Sequence, residues 1–216
     1  SYPKVKCVKK FGNLSTDWLK LYPKVKCVKN FGKLSTSWLK NNPKVVLTAV
    51  QNNGLALKFA SKKLQKSLEI VLTAVKKNGS ALKFASAALK NNEDVVLAAT
   101  TKNGKALKYA SDRLIKDKRF LFTVVTENGL AFEFIPEELK NNEEIASAAI
   151  QQEGIMLRYI PKALREKKGF MLLAIKKDAN ALQLAAPDLK DDPEVVFTAI
   201  QKNCYALGYA SDTLKD

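Results

Sequence analysis

From Pro43 onward the sequence repeats itself every 25 residues, seven times without a gap, in copies starting at Pro43, Leu68, Glu93, Lys118, Glu143, Lys168 and Pro193. This repeat constrains the fold more than composition does, because so short a unit cannot bury an apolar face alone and must lay it against copies of itself. The third and fourth positions of the copies are mostly apolar, as in Val45-Val46, Ile70-Val71, Val95-Val96 and Phe120-Leu121. The seventh and eighth follow suit, at Ala49-Val50 and Ala74-Val75. Spacing of i, i+1, i+4, i+5 draws one stripe along a helix, so each copy is expected to open with a helix of about ten residues.

The stripe stops at Asn-Gly in four copies: Asn53-Gly54, Asn78-Gly79, Asn103-Gly104 and Asn128-Gly129. Gly, and less often Asn, takes the left-handed conformation that closes a helix C-terminus, and this predicts a tight reversal there. A second apolar stripe follows, as in Ala56-Leu57-Phe59-Ala60, and predicts a shorter helix of about seven residues. The nineteenth position is Ser61, Ser86, Ser111, Pro136, Pro161 or Ser211, with a Leu three residues later. Ser suits a helix N-cap and Pro the first helical position, so one further turn is expected. Asn42-Pro43, Asn92-Glu93 and Asp192-Pro193 are start signals for the next long helix.

The expected fold is therefore all-α: an α-solenoid of stacked short helix-turn-helix repeats over residues 43–216. At about 8–10 Å per packed layer it would be elongated. Residues 1–42 hold two shortened, Lys-rich copies of 20 residues, because Pro3–Lys20 recurs as Pro23–Lys40 with three changes. They are expected to continue the array as truncated helical pairs, with a strand over Val5-Lys6-Cys7 the alternative left open by so short a run.

The Pro43–Asp216 pattern, of the form Glu/Pro-x-Val-Val-Leu-x-Ala-Val-x-x-Asn-Gly-x-Ala-Leu-x-Phe/Tyr-Ala-Ser, resembles a tandem helical repeat classed only as a domain of unknown function. It departs from that pattern at Ser147, Glu153 and Ala179, and most of all before Pro43. The resemblance implies the repeat unit and no activity. A looser likeness joins Val-Val-x-x-Ala and Asn-Gly-x-x-Ala-Leu to the DNA-reading repeats of transcription-activator-like effectors, whose units are longer.

The formal net charge is +16, and its distribution is uneven. Residues 1–42 carry ten Lys against Asp17, residues 43–92 nine Lys against Glu69, and residues 93–216 eighteen basic against nineteen acidic groups. Essentially the whole excess lies in the first 92 residues, where it creates a strong local positive potential. The basic patch expected to meet a partner comprises Lys4, Lys6, Lys9, Lys24, Lys26, Lys29, Lys58, Lys62, Lys63, Lys76, Lys77 and Lys83. An acidic protein surface or a nucleic-acid backbone would suit it, and a merely solvated repeat surface is the plainer reading. Every Arg lies beyond residue 112, which favours phosphate neutralisation over base readout. Trp18 and Trp38 each follow a Ser/Thr cap and are candidate contact aromatics. The aromatics at position seventeen (Phe59, Phe84, Tyr109, Phe134, Tyr159 and Tyr209) sit inside the second stripe and read as a core ladder rather than a stacking platform.

The chain has no His, no Cys-x-x-Cys and no Gly-rich phosphate loop. The commonest general base and the commonest zinc ligand are thus missing, and no catalytic residue, metal or cofactor is expected. Acidic pairs such as Glu137-Glu138 and Glu143-Glu144 fall at helix starts, where capping accounts for them. No apolar run reaches 18 residues, so no membrane span is expected. Three scattered cysteines, Cys7, Cys27 and Cys204, make no disulfide framework, and a reducing intracellular compartment is expected. The chain opens Ser1-Tyr2-Pro3 without a Met or a secretion leader, as a processed start or an excerpt of a longer array would. The functional expectation is a non-enzymatic repeat scaffold or linker for protein partners, within a larger assembly. The alternative is sequence-independent nucleic-acid binding by the Lys-rich N-terminal half.

Overall fold

A computed structural model describes residues 40–215. Each of the seven copies opens with a ten-residue α-helix: α1 (Pro43–Asn52), α2 (Leu68–Lys77), α3 (Glu93–Lys102), α4 (Lys118–Glu127), α5 (Glu143–Gln152), α6 (Lys168–Lys177) and α7 (Pro193–Lys202). A six-residue 3-10 helix follows each one, from Gly54–Phe59 in the first copy to Cys204–Tyr209 in the last. A short turn of helix, such as Ala87–Lys90 or Asp112–Lys116, then leads to the next long helix. No strand occurs among the described residues.

The long helices start where a side chain relieves the first free N–H groups. Asn42, Asp117 and Asp192 each accept from two backbone amides, and Asn92 and Asn142 from one. Their stripe of positions three, four, seven and eight is buried in nearly every copy, with Val46, Val71, Val96, Leu121 and Met171 fully enclosed. Position fifteen is the second layer of the core: Leu57, Leu82, Leu107, Phe132, Leu157 and Leu182 have no exposed surface.

Two expectations about the turn and the second helix are corrected. Asn53, Asn78, Asn103 and Asn128 are extended, with φ between −146° and −157°, and no described residue has a positive φ. Instead of closing the long helix in a left-handed conformation, each Asn caps the following 3-10 helix. Its carboxamide oxygen accepts from the amide two residues on, as Asn53 does from Leu55 at 3.0 Å. The glycine is demanded by space: a Cβ on Gly54 would lie 2.2 Å from the Ala74 carbonyl oxygen of the next copy, and one on Gly79 would lie 2.1 Å from that of Ala99. The second helix is 3-10 and not α, which also moves the aromatics. At three residues per turn, positions fifteen and eighteen share the buried side while position seventeen stands aside. Phe59, Phe84, Tyr109, Phe134, Tyr159 and Tyr209 are accordingly half-buried at the edge of the core.

Successive long helices pack side by side and in parallel. At their N-terminal ends Lys168 bridges to Asp192 and Glu194, at 2.8 and 2.7 Å, and at their C-terminal ends the Lys202 ammonium donates to the Lys176 carbonyl at 2.6 Å. Backbone bonds also cross between copies, where the amides of Ser61, Ser86, Ser111 and Ser211 donate to Lys40, Gln65, Lys90 and Lys190. The junction of the third and fourth copies is built differently. A Cβ on Gly104 would meet the Ala131 amide at 2.7 Å, not a helix carbonyl, and the Asn128 carboxamide donates to Thr100 O at 2.7 Å.

Candidate functional site

Parallel packing buries one side of each long helix and leaves positions two, five, six and nine facing outward. Polar residues fill most of these, as helix physics requires of a solvated face. Position five is the exception. It carries Leu47, Leu72, Leu97, Phe122, Leu172 and Phe197, a row of apolar side chains that recurs from helix to helix. The leucines are half-buried, Phe122 is 42% exposed and Phe197 is 61% exposed. Exposed apolar side chains aligned across neighbouring elements mark contact surfaces more often than scattered ones do.

Charges flank the row. Exposed carboxylates stand in the first turns of α2, α3, α5 and α7, and lysines in the last turns of α2, α3, α6 and α7. Each sign complements the dipole at its end of the helix. The fourth helix inverts the pattern, opening on Lys118 and Arg119 and ending on Glu127. Beside it the fifth breaks the apolar row with Ser147, and an open groove runs between the two, lined by Lys118, Arg119, Phe122, Glu143, Glu144, Ser147 and Ala148 among others.

The six Lys of the expected basic patch that are described are all exposed, on three kinds of element. Lys58 and Lys83 hold the same position on successive 3-10 helices, Lys62 and Lys63 lie in the connector, and Lys76 and Lys77 end α2. Lys4, Lys6, Lys9, Lys24, Lys26, Lys29, Trp18 and Trp38 lie outside the described residues, as do Cys7 and Cys27. The position-five row was missed in the sequence because an apolar residue in six of seven copies reads as core. Its signal was its place one residue beyond the buried stripe, which turns it by about 100°.

Lys168 and Asp192 form an ion pair at 2.8 Å that shifts the titration of both groups. Hydrogen bonds to Asp192 and then Glu194 raise the Lys168 ammonium above its ordinary value. The bond from Lys168, followed by that from the Val195 amide, lowers the Asp192 carboxyl. This couple ties the sixth copy to the seventh. Among the described residues no group of three or more Cys, Asp or Glu is placed to hold a metal, and no helix is long and apolar enough to cross a membrane.

The family described as Domain of unknown function (DUF4116) matches residues 5–65, 67–115, 117–165 and 167–215. The chain belongs to this family. A DUF4116 unit of about 50 residues spans two of the 25-residue copies, and the pairing is visible in the connectors. Leu-Lys-Asn/Asp-Asn/Asp closes every second copy, at Leu89–Asn92, Leu139–Asn142 and Leu189–Asp192, while the others close on Leu64–Ser67, Leu114–Asp117 and Leu164–Lys167. No curated protein and no solved structure matches the chain.

Proposed function

We propose that the chain is a non-enzymatic α-solenoid that serves as a scaffold or linker and binds other proteins through the outer face of its long helices. The apolar row at position five carries this reading, because it recurs on six of the seven long helices, with its leucines half-buried and Phe122 and Phe197 exposed. Stacked copies align that row on both sides of the break at Ser147, and the charged helix ends on either side supply the polar rim that protein interfaces use around an apolar centre. Such a surface suits partners acting within a larger assembly.

The test is capture from a nuclease-treated native extract, comparing the wild-type chain with a variant carrying Leu72→Glu, Leu97→Glu and Leu172→Glu. The expected result is a set of proteins held by the wild type and lost from a variant that keeps its helical circular dichroism. Retention of the same proteins by the variant overturns the face assignment, and recovery of nucleic acid alone overturns the protein-binding reading.

A second reading is favoured by the exposed lysines at position sixteen of the first three copies, Lys58, Lys83 and Lys108. They form a Lys row suited to sequence-independent contact with a polyanion backbone. Binding of a random-sequence oligonucleotide should then weaken steeply as salt rises, and no binding at low salt overturns it.

A further inference from the structure

The groove between α4 and α5 combines three features that occur together at no other described junction. Phe122 projects from the fourth helix at position five, and at the same position of the fifth helix Ser147 leaves a hollow. Lys118 and Arg119 occupy positions one and two of the fourth helix, and Glu143 and Glu144 occupy the same two positions of the fifth. Thr123 and Ala148, at position six, keep the floor small and uncharged. Among the described residues no ion pair engages Lys118, Arg119 or Glu144, so their charges remain free for an outside partner.

Knob and hollow lie at equal heights on two parallel helices, and so do the basic and acidic groups. A two-fold axis running along the groove, midway between the helices, exchanges the fourth helix of one copy with the fifth of another without shifting either along its length. The Phe122 side chain of each copy then enters the hollow over Ser147 of the other, and Arg119 of each faces Glu144 of the other. Leu97 meets Leu172 one layer out. An isologous contact requires that every surface feature find its complement in the same surface, and this groove meets that requirement in shape and in charge. The remaining electrostatics permit the approach, because residues 93–216 carry eighteen basic against nineteen acidic groups while the chain's excess charge lies in the first 92 residues.

We propose that the chain forms a symmetric dimer through this groove, with a second copy of itself as the occupant. The proposal is independent of the scaffold reading, since a dimer leaves Leu47, Leu72 and Phe197 of the position-five row free and a monomer could still bind other proteins along it.

The test is sedimentation equilibrium of the full chain over a wide concentration range at physiological salt. The expected result is a concentration-dependent equilibrium between 23.9 kDa monomer and dimer. Arg119→Glu should weaken the dimer about ten-fold or more by placing like charges in register. Combining it with Glu144→Arg should restore association, because the swapped charges meet again across the axis. Ser147→Leu installs the residue that Leu47, Leu72, Leu97 and Leu172 already hold at this position, so it should keep the fold while filling the hollow and dissociating the dimer. A wild type that stays monomeric at every concentration overturns the proposal. So does a dimer indifferent to both Arg119→Glu and Ser147→Leu, or one that the double charge swap fails to restore. A monomeric chain that binds a foreign amphipathic peptide through Phe122 gives the groove to another occupant and likewise overturns self-association.

Discussion

Leu107 and Leu207 hold the same position of the repeat, in the same Ala-Leu step, yet Leu107 has no exposed surface and Leu207 is 37% exposed. Their own copies are built alike, each with a ten-residue helix and a six-residue 3-10 helix. The difference is the neighbour. Leu107 lies under the 3-10 helix of the next copy, and no described residue covers Leu207 in that way. Position twelve shows the same contrast, since Gly54 and Gly79 sit beneath the main chain of the following copy while Cys204 is exposed. A copy of this repeat therefore completes its core only when another copy stacks on it.

The largest expected effect tests that contrast directly. Leu107→Ala should cost about 2–5 kcal/mol in urea unfolding, as a buried large-to-small change does. Leu207→Ala should cost less than about 1 kcal/mol, because partly exposed sites lose little. Equal losses at the two positions would break the comparison. Next is position twelve, where Gly79→Ala forces a methyl group against the Ala99 carbonyl and should cost about 1–3 kcal/mol, while Cys204→Ala should fall within about 0.5 kcal/mol of the wild type. A tolerated Gly79→Ala would show that the close approach relaxes freely.

A smaller effect separates two caps. Asn128 accepts from the Leu130 amide at 3.1 Å and also donates to Thr100 O at 2.7 Å, whereas Asn203 accepts from Tyr205 at 3.1 Å. Asn128→Ala should cost about 1–2 kcal/mol and Asn203→Ala about half as much, read from thermal melts. The smallest effect is the pH response of the junction between the sixth and seventh copies. Asp192 titrates below its usual 3.8 when folded, so its stabilising contribution is present above that value and is lost as pH falls through the lowered one. Lys168 titrates above 10.5, so its contribution is present below that value and is lost as pH rises through the raised one. Lys168→Met should flatten both arms of a plot of Tm against pH, and unchanged arms would show that the couple does not tie these copies together.

The repeat, its period and its buried stripe were all legible in the sequence, because positions three, four, seven and eight report a helix face directly. The conformation at Asn-Gly was not. The residues that permit a left-handed turn also permit a close main-chain approach, and only the position of Ala74 O over Gly54 distinguishes the two. The 3-10 character of the second helix was hidden as well, since Ala56, Leu57 and Ala60 satisfy either helical period over so short a span. Position five went unremarked for a physical reason: Leu72 and Leu97 lean half onto the core, so an apolar residue there does not stand out from the buried stripe beside it. The doubled period of the family unit was present in the connectors, where Lys90-Asn91-Asn92 and Lys140-Asn141-Asn142 differ from Ile115-Lys116-Asp117, but the stronger 25-residue signal masked it.

The contact of the Ala74 and Ala99 carbonyls with glycine places backbone directly on backbone at those junctions. A joint of that kind takes no information from the side chains on the outward face. Outward residues of those copies, such as Lys44, Thr48 or Lys76, can be exchanged for others without disturbing how one copy seats on the next. At those junctions the contacts that seat one copy on the next are thus separate from the residues of the outward face, which can vary while the spine stays the same.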